Sequence, residues 1–379
     1  MRVALLRRSP SASFSMDVYA DGLAYGLRAV RPDWKIDEYS PKISAANVGL
    51  GGIGNGLHKY YERYWRYPRS LRQVDADIFH VIDHTHAYLS RWLDSADYPN
   101  VVTCHDLINL TMPESFVGRA RFPKVSMAAW RWGVTGMRDA DHTIAVSSYT
   151  KQDMITHLDM SPESVTVIPN AVGSSFRVLS DEIIQSTREQ YGLSPDDFCV
   201  LNVGSNNVRK NILTLIESVA DLADAGLPVH FWKAGADFSL PQKQMIQTRN
   251  IEHCVTYLGQ PEPEALVAIY NAADVLVAPS LYEGFGLTVL EAMACATAVI
   301  AANVTSLPEV VGDAAMLVSP TDKQAITSAI RQLYEQPDLC QTLAQRGLSR
   351  AQNFTWEKTA ERLAKVYESV LLSHSGGHL

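Results

Sequence analysis

The stretch Pro279–Ala294, PSLYEGFGLTVLEAMA, is the part of the chain that decides its fold. It follows an apolar run, 275–278, that is typical of a buried strand, and its second half is typical of a helix. Gly284 and Gly286 lie in the turn between them. Glycine lets backbone N–H groups approach a bound group closely, and a helix N-terminus offers unpaired donors and a positive dipole end. The stretch therefore predicts a strand–turn–helix unit suited to a phosphorylated sugar.

Two carboxylates flank this turn. Glu283 ends the strand side, and Glu291 lies one to two turns into the helix. Carboxylates do not bind a diphosphate, but they accept hydrogen bonds from hydroxyl groups. They therefore fit a sugar at one end of the ligand and a ribose at the other. The alternative interpretation is an ordinary strand–turn–helix with a glycine-rich turn.

This segment resembles the E-x7-E motif of the retaining glycosyltransferases of family 4, which have the two-domain GT-B fold. The resemblance covers essentially the whole chain and is most specific from Phe198 to Val318. It implies that Glu283 holds the donor sugar and Glu291 the ribose. It also implies that the rest of the donor is bound by residues of the turn and of a second glycine segment beside the base, namely Gly284, Phe285, Gly286, Leu287, Gly259 and Gln260.

Length and pattern predict two domains of α/β architecture. A chain of 379 residues is long for a single core. Strand-like and helix-like segments alternate in two series, with a break at 169–176, and such alternation is typical of doubly wound parallel sheets. We therefore expect a GT-B fold of two Rossmann-like domains that face a cleft. An acceptor domain would span 1–172, joined by a C-terminal helix at about 356–372 that crosses back to it, and a nucleotide-sugar domain would span 173–355.

The strands are predicted from short apolar runs in both series. Those of the first series are 3–7, 35–39, 78–82, 101–105, 143–147 and 165–168. Those of the second series are 198–203, 229–233, 255–258, 275–278, 298–301 and 315–318. In sheets of this kind ligands bind at the carboxyl ends of the strands, so residues that follow these runs are the candidates for chemistry.

A second motif, Val203–Ile212 (VGSNNVRKNI), follows the first strand of the second series. Gly204 ends the strand, and we expect Arg209 and Lys210 at the start of the next helix. Cations there would neutralise the charge that grows on a leaving diphosphate. The motif resembles the basic motif of family 4, in which a lysine contacts the phosphates. Many members also have an arginine directly after the glycine, where this chain has Ser205. The alternative is a solvated charge pair.

A third motif, residues 103–108 (TCHDLI), ends a strand of the first series. It resembles the His-Asp-Leu of mannosyltransferase-like branches of the family, which implies that His105 lies beside the donor sugar. We expect Asp106 and His84 at the acceptor. A histidine at a strand end can also merely cap the sheet. His84, His86 and His105 together could form a metal cluster, although strand-end packing and acceptor contact are favoured.

We expect no metal and no other cofactor. The two Asp-Ala-Asp triplets, 75–77 and 139–141, match a metal-binding pattern of other glycosyltransferases. Both precede strands, at the opposite end of the sheet from the expected ligands, so we interpret them as turns. Gly49, Gly51 and Gly54 match a dinucleotide fingerprint but do not follow the first strand, which favours a loop over a nicotinamide site.

The segment Lys59–Arg72 is rich in aromatic and basic residues. On an ideal helix Lys59, Arg63 and Arg66 share one face, and the opposite face carries Tyr60, Tyr61, Tyr64, Trp65 and Tyr67. This pattern fits a helix at a membrane interface or an aromatic face packed into the domain. Residues 1–172 carry a net charge of +1 and the remainder −9, which favours the first half as the partner of an anionic acceptor or membrane.

Composition limits the compartment and the partners. The chain has a net charge of −8 and no nucleic-acid motif, which excludes nucleic acid as an expected partner. No apolar run reaches about 20 residues, so no transmembrane helix is expected. The chain has five cysteines that lie far apart in the sequence, and we interpret them as free thiols in a reducing compartment. They are Cys104, Cys199, Cys254, Cys295 and Cys340. We expect a cytoplasmic protein, with any peripheral contact at the inner face of the membrane.

The sequence thus predicts a retaining, metal-independent hexosyltransferase. Its donor would be a nucleotide-diphosphate sugar of the GDP-mannose or UDP-glucose type, and its acceptor a glycan or a lipid-linked glycan. Two alternatives stay open. A GT-B nucleotide-sugar epimerase would use the same cleft, and a non-catalytic scaffold would keep the fold without the chemistry.

Overall fold

A computed structural model of the chain describes residues 1–9, 14–41, 61–113 and 123–376. The chain divides into two compact units. The first unit consists of Met1–Asn170 together with Trp356–Leu379, and the second is Ala171–Thr355. The segment 42–60, which contains Lys59, Tyr60 and the three glycines of the fingerprint match, lies outside the described residues.

The first unit is a parallel six-stranded sheet with helices around it. Its strands are β1 (Arg2–Leu6), β2 (Lys35–Tyr39), β3 (Ile78–Val81), β4 (Asn100–Cys104), β5 (His142–Ala145) and β6 (Val165–Val167). Its described helices are α1 (Phe14–Val30), α2 (Tyr67–Leu71), α3 (Tyr88–Asp94), α4 (Ile108–Thr111), α5 (Pro123–Val134), α6 (Ser148–Leu158) and α15 (Trp356–Gly376). The central strands β3 and β4 are buried along their whole length because both faces of the sheet are covered, and most of their residues are apolar.

The C-terminal helix α15 belongs to this first unit and packs against α1. Two glycines allow the close approach. A Cβ atom on Gly26 would lie 2.4 Å from the backbone oxygen of Trp356, and one on Gly22 would overlap the Trp356 ring. Further along α15, the buried hydroxyl of Tyr367 lies 2.6 Å from Nδ1 of His80 on β3. The last helix is therefore an integral part of the core.

The second unit repeats the architecture with another parallel six-stranded sheet. Its strands are β7 (Phe198–Gly204), β8 (Val229–Gly235), β9 (Val255–Tyr257), β10 (Val275–Ala278), β11 (Ala298–Ala302) and β12 (Met316–Val318). Its helices are α7 (Asp181–Gln190), α8 (Ile212–Asp224), α9 (Leu240–Thr248), α10 (Pro263–Ala272), α11 (Leu287–Ala294), α12 (Leu307–Val311), α13 (Lys323–Glu335) and α14 (Pro337–Ala351). Apolar side chains of its strands and of α8, α9 and α13 form one core.

Both sheets have a point at which the strand order reverses. The first sheet has the order β2-β1-β3-β4-β5-β6, and the second β12-β11-β10-β7-β8-β9. The loops that follow β1 and β3, and those that follow β7 and β10, therefore leave the sheet in opposite directions. A crevice opens at the carboxyl ends of such strands, and this is where open α/β sheets bind ligands.

The predicted strands are all present, with ends that differ by no more than two residues. Two local expectations were wrong. Helix α8 begins at Ile212, so Arg209 and Lys210 lie in a preceding 3-10 turn, Val208–Lys210, and not at the helix start. The ideal helix expected around residue 64 is a π-helical turn, Glu62–Arg66, which continues into α2.

Among the described helices, none is both long enough and apolar enough to cross a bilayer.

Candidate active site

The candidate catalytic residues of the second unit lie where the strand order of its sheet reverses, at the switch point between β7 and β10. Arg209 and Lys210 follow β7, and Glu283 follows β10, the neighbour of β7 in the sheet. Nζ of Lys210 donates to Oε1 of Glu283 over 2.6 Å, and Nη1 of Arg209 donates to Oε2 over 2.8 Å. The two cations and the carboxylate, which are at least 73 positions apart in the sequence, thus form one compact cluster.

This cluster is largely shielded from water. The side chain of Lys210 is 13% exposed and that of Glu283 is 11% exposed. Burial by itself would raise the pKa of Glu283, but Lys210 and Arg209 outweigh it and lower the pKa to about 2. The carboxylate is therefore ionised at neutral pH and can accept hydrogen bonds from hydroxyl groups.

Neighbouring hydroxyls and backbone groups fix the turn that carries Glu283. Ser280 Oγ donates to Glu283 Oε1 over 2.7 Å, and the Glu283 N–H donates to Thr305 Oγ1 over 3.1 Å. Ser306 Oγ lies 2.9 Å from the carbonyl oxygens of both Glu283 and Phe285. The position of the carboxylate is set before any ligand binds.

Helix α11 begins directly after this turn. Gly286 is its N-cap with a φ of 108°, a conformation that L side chains rarely adopt. A Cβ atom there would also lie 2.6 Å from a methyl carbon of Leu307. Gly284 and Phe285 are buried, and Leu287 is the first helical residue. Glycine is thus required both for the backbone turn and for its packing.

A second group of glycines lies at the carboxyl ends of β7 and its neighbour β8. Gly204 ends that strand with a φ of 130°, and its carbonyl oxygen accepts from Lys233 Nζ over 2.7 Å and from the Ala236 N–H over 3.0 Å. The carbonyl oxygen of Gly259 accepts from the Gly235 N–H over 2.7 Å. These contacts fix the strand ends beside the cation pair.

The remaining residues expected at the donor are Ser205, Gln260 and Glu291. Ser205 and Gln260 are exposed next to the two glycine turns. Glu291, on the first turns of α11, accepts a hydrogen bond of 2.7 Å from the hydroxyl of Tyr270. Burial raises the pKa of Glu291, while Tyr270 and Lys210 act in the opposite direction.

In the first unit, His105 is buried immediately after β4. Its Nε2 lies 2.8 Å from the carbonyl oxygen of Ile82, and its ring packs edge-on against Tyr19 with 4.5 Å between ring centroids. Burial, with a smaller contribution from His84, lowers the pKa of His105 to about 4. The imidazole is therefore neutral at pH 7, and since Nε2 donates to a carbonyl, Nδ1 is left as an acceptor.

The two other residues expected at the acceptor make local contacts. Nδ1 of His84 accepts from the His105 N–H over 3.3 Å, so the two histidines are neighbours. The carboxylate of Asp106 accepts from the Ile108 N–H over 3.2 Å at the start of α4. Within the described part of the chain, no group of three or more His, Cys, Asp and Glu side chains is arranged to hold a metal ion.

Both Asp-Ala-Asp triplets lie at the amino ends of their strands. Asp77 accepts from the Arg2 N–H over 2.7 Å, and Asp75 pairs with the Arg2 side chain. In the second triplet, Asp141 accepts from the Asn100 N–H over 2.7 Å, and Asp139 pairs with Arg91 at 3.1 Å. All four carboxylates thus have structural partners at the edge opposite the site.

Three contributors to the site were missed by sequence reasoning: Ser280, Tyr270 and Lys233. Lys233 offered the clearest signal, because it interrupts the apolar strand VHFWKAG and is fully buried. A lysine is buried only when its ammonium group has partners. Ser280 and Tyr270 carried no signal of this kind, since each becomes relevant only through a contact made by the fold.

Two family models match the chain. Glycosyl transferases group 1 matches residues 183–350, and Glycosyltransferase Family 4 matches residues 27–176. O-antigen chain mannosyltransferase B of Escherichia coli is 30% identical over 287 residues, which cover 74% of this chain and 72% of that protein. The chain belongs to glycosyltransferase family 4. The sequence resemblance to this family is thereby confirmed.

Another relative is considerably longer than this chain. Serotype-specific mannosyltransferase WbdA of Escherichia coli is 30% identical over 317 residues, which are 80% of this chain but only 38% of WbdA. Among solved structures, sucrose-phosphate synthase of Thermosynechococcus elongatus superposes with a TM-score of 0.78 at 21% identity, covering 98% of this chain and 100% of that one. These similarities confirm the predicted GT-B fold.

Proposed function

We propose that this family 4 protein transfers a hexose from a nucleotide-diphosphate sugar to a glycan or lipid-linked acceptor, with retention of anomeric configuration and without a metal ion. The observation that carries the proposal is the cluster of Arg209, Lys210 and Glu283 at the sheet's switch point, beside the N-terminus of α11. It combines cations for a diphosphate with an ionised carboxylate for a sugar. The mannosyltransferase relatives favour GDP-mannose as the first donor to test.

The cation pair would stabilise the leaving group. A lysine has three N–H donors, and Lys210 directs one of them to Glu283. As the sugar–oxygen bond breaks, negative charge grows on the diphosphate, and preorganised donors in a shielded site stabilise that charge. The N–H groups of 284–286 add donors at the helix N-terminus. Metal ions serve this purpose in other enzymes, and here the two protein cations would take their place.

The carboxylates and His105 would orient the two ends of the donor. Glu283 would accept from hydroxyls of the sugar, and Glu291 from those of the ribose. A neutral His105, with Nδ1 as an acceptor, would bind a sugar hydroxyl without adding positive charge beside a carbocation-like transition state. We propose front-face attack, in which the acceptor hydroxyl enters on the side from which the diphosphate leaves and gives its proton to a diphosphate oxygen.

Release of nucleoside diphosphate from GDP-mannose and UDP-glucose, with an oligosaccharide acceptor, tests the proposal. Lys210→Ala should lower turnover about 10²-fold or more, as expected for the loss of one preorganised electrostatic contact. EDTA should leave the rate unchanged. Activity that disappears with EDTA and returns with Mg²⁺, or normal turnover in folded Lys210→Ala, would contradict the proposed site. Exchange at the sugar carbon without any acceptor would favour an epimerase.

We also propose that the first unit touches a membrane surface through an arginine–tryptophan patch, Trp65, Arg69, Arg72 and Trp92. Trp65 is 49% exposed, and its ring centroid lies 6.4 Å from that of Trp92. The guanidinium of Arg69 lies 3.3 Å from the Trp65 ring centroid, and that of Arg72 lies 6.0 Å from the Trp92 centroid. Exposed indoles beside cations are typical of interfaces with anionic lipids.

The two-faced helix expected for this segment was wrong in detail. The π-helical turn Glu62–Arg66 places residues five apart above one another, so basic and aromatic side chains share faces. The Arg63 guanidinium lies 5.3 Å from the Tyr64 ring centroid, and Tyr67 is buried. Only part of the aromatic set is therefore available to a lipid surface.

Sedimentation with lipid vesicles tests this contact. The chain should bind vesicles that contain phosphatidylglycerol and not pure phosphatidylcholine vesicles, and Trp65→Ser should weaken binding. Tyr25→Ser is the matched control, because Tyr25 is an aromatic side chain that is 58% exposed on a different helix, α1. If both variants bound the vesicles equally well, the arginine–tryptophan patch would not be the membrane contact.

A further inference from the structure

A cavity lies in the first unit. It has a volume of about 320 Å³ and is lined by Arg8, Ser9, Pro41, Arg63, Thr85, His86 and Trp130. Three of these residues follow the carboxyl ends of β1 and β2, and two belong to the turn after β3. The cavity thus lies at the switch point of the first sheet, and its volume is within the range of small-molecule sites.

Three residues that line the cavity each carry a buried hydrogen-bonding atom without a partner in the described part of the chain. These are Nε of Arg63, Nδ1 of His86 and Nε1 of Trp130, all buried. His86 as a whole is only 5% exposed. Buried polar groups are nearly always paired, so three unpaired ones around a single cavity indicate that a ligand supplies the missing partners.

Both arginines are fixed in place by the same residue. Nη2 of Arg8 donates to Thr85 Oγ1 over 3.0 Å, and Nη2 of Arg63 donates to the Thr85 carbonyl oxygen over 2.9 Å. Arg8 also pairs with the buried carboxylate of Asp83. Asp83 offsets one positive charge, and the second guanidinium leaves the cavity with a net positive charge. Fixed guanidinium groups are the preferred donors to phosphate and carboxylate oxygens.

We propose that this cavity binds an oxyanion carried by the acceptor, a phosphate or a carboxylate on the sugar that receives the transferred hexose. This inference rests on the proposed function and names the class of acceptor. The ring of Trp130 packs edge-on against His84 at 6.4 Å, and His84 is hydrogen-bonded to the backbone of His105. The oxyanion would therefore be held beside the histidines that were expected at the acceptor.

Isothermal titration with a hexose 1-phosphate, a hexuronate and a nucleoside diphosphate tests the proposal on the full chain. At least one of the two anionic sugars should bind the wild type, and which one binds identifies the oxyanion. Arg63→Met should weaken that binding at least about tenfold, the effect of losing one charge-assisted hydrogen bond. Trp130→Phe keeps an aromatic ring, removes only the N–H donor, and should weaken binding severalfold.

Lys35→Met is the matched control. It removes one positive charge from the same unit at the amino end of β2, where Lys35 is 69% exposed, and should leave sugar binding unchanged. Circular dichroism establishes that each variant is folded, and Trp130→Phe carries the test if Arg63→Met is not. Equal binding by Arg63→Met and Lys35→Met, or no binding of either sugar to the wild type, would overturn the proposal.

The nucleoside diphosphate separates this proposal from the proposed function. Its affinity should be unchanged in Arg63→Met and Trp130→Phe, and a loss there would assign the cavity to the donor and overturn the inference. If the wild type binds the anionic sugar but no nucleotide, the proposed transferase activity fails while the oxyanion site stands.

Discussion

At the residue scale, the site depends on how one buried carboxylate is shared between two cations. A solvated charge pair was the alternative interpretation of Arg209 and Lys210. The side chain of Lys210 is instead only 13% exposed and is bonded to Glu283. Arg209 and Ser280 also contact this carboxylate, so Lys210→Ala should lower stability by about 1–3 kcal/mol without unfolding the protein. Activity measurements on this variant must therefore be made well below its melting temperature.

The two glutamates should respond differently to removal of their charge. Glu283→Gln weakens charge-assisted bonds to the donor sugar, which matter most as the sugar separates from the diphosphate, so the rate should fall more than nucleotide binding. Glu291→Gln affects the ribose, far from the reacting carbon, and should appear mainly in KM. Titration with the plain nucleoside diphosphate should show weaker binding in Glu291→Gln and nearly unchanged binding in Glu283→Gln. The reverse pattern would assign the ribose to Glu283 and the donor sugar to Glu291.

At the element scale, the start of α11 depends on a glycine that no other residue can replace without strain. Gly286→Ala combines an unfavourable φ with a contact of 2.6 Å to Leu307, whereas Gly192 has a φ of 77° and nothing within 4 Å of an added Cβ. Both substitutions carry the conformational cost of about 1–2 kcal/mol. Overpacking should add about 1–3 kcal/mol only at Gly286. Urea unfolding of the two variants measures the difference, and equal losses would show that Leu307 moves aside freely.

Lys233 on β8 holds the end of β7 and should give the unfolding free energy a recognisable pH dependence. Burial, with help from Lys210, lowers the pKa of Lys233 from 10.5 to about 8. Between these pH values the unfolded chain binds more protons than the folded one, so the contribution of Lys233 to stability rises with pH. The difference in unfolding free energy between wild type and Lys233→Met should grow in favour of the wild type from pH 8 to 10. A difference that stays constant with pH would mean that the pKa of Lys233 is not lowered in the folded protein.

At the scale of the whole molecule, the sequence was sufficient for the architecture but not for the contacts. Apolar runs such as 275–278 predicted strands well because parallel strands are buried on both faces. Sequence also indicated that Lys210 and Glu283 follow strands, but their pairing depends on β7 and β10 being neighbours, which no local pattern encodes. The cavity near Arg63 was missed for the same reason. Its lining comes from the segments after β1, β2 and β3, from the π-helical turn and from α5, and a π-helical turn changes the spacing on which helical patterns rely.

The central claim is that the second unit binds a nucleotide-diphosphate sugar through the cluster around Glu283. Thermal unfolding in the presence of a panel of nucleotide sugars tests it most directly, because a ligand at about 100 times its Kd stabilises the folded state by about 2.7 kcal/mol. We predict that GDP-mannose or UDP-glucose raises the Tm of the wild type and that the rise is lost when Arg209 and Lys210 are both replaced by methionine. No shift with any nucleotide sugar, or an equal shift in the double variant, would contradict the account.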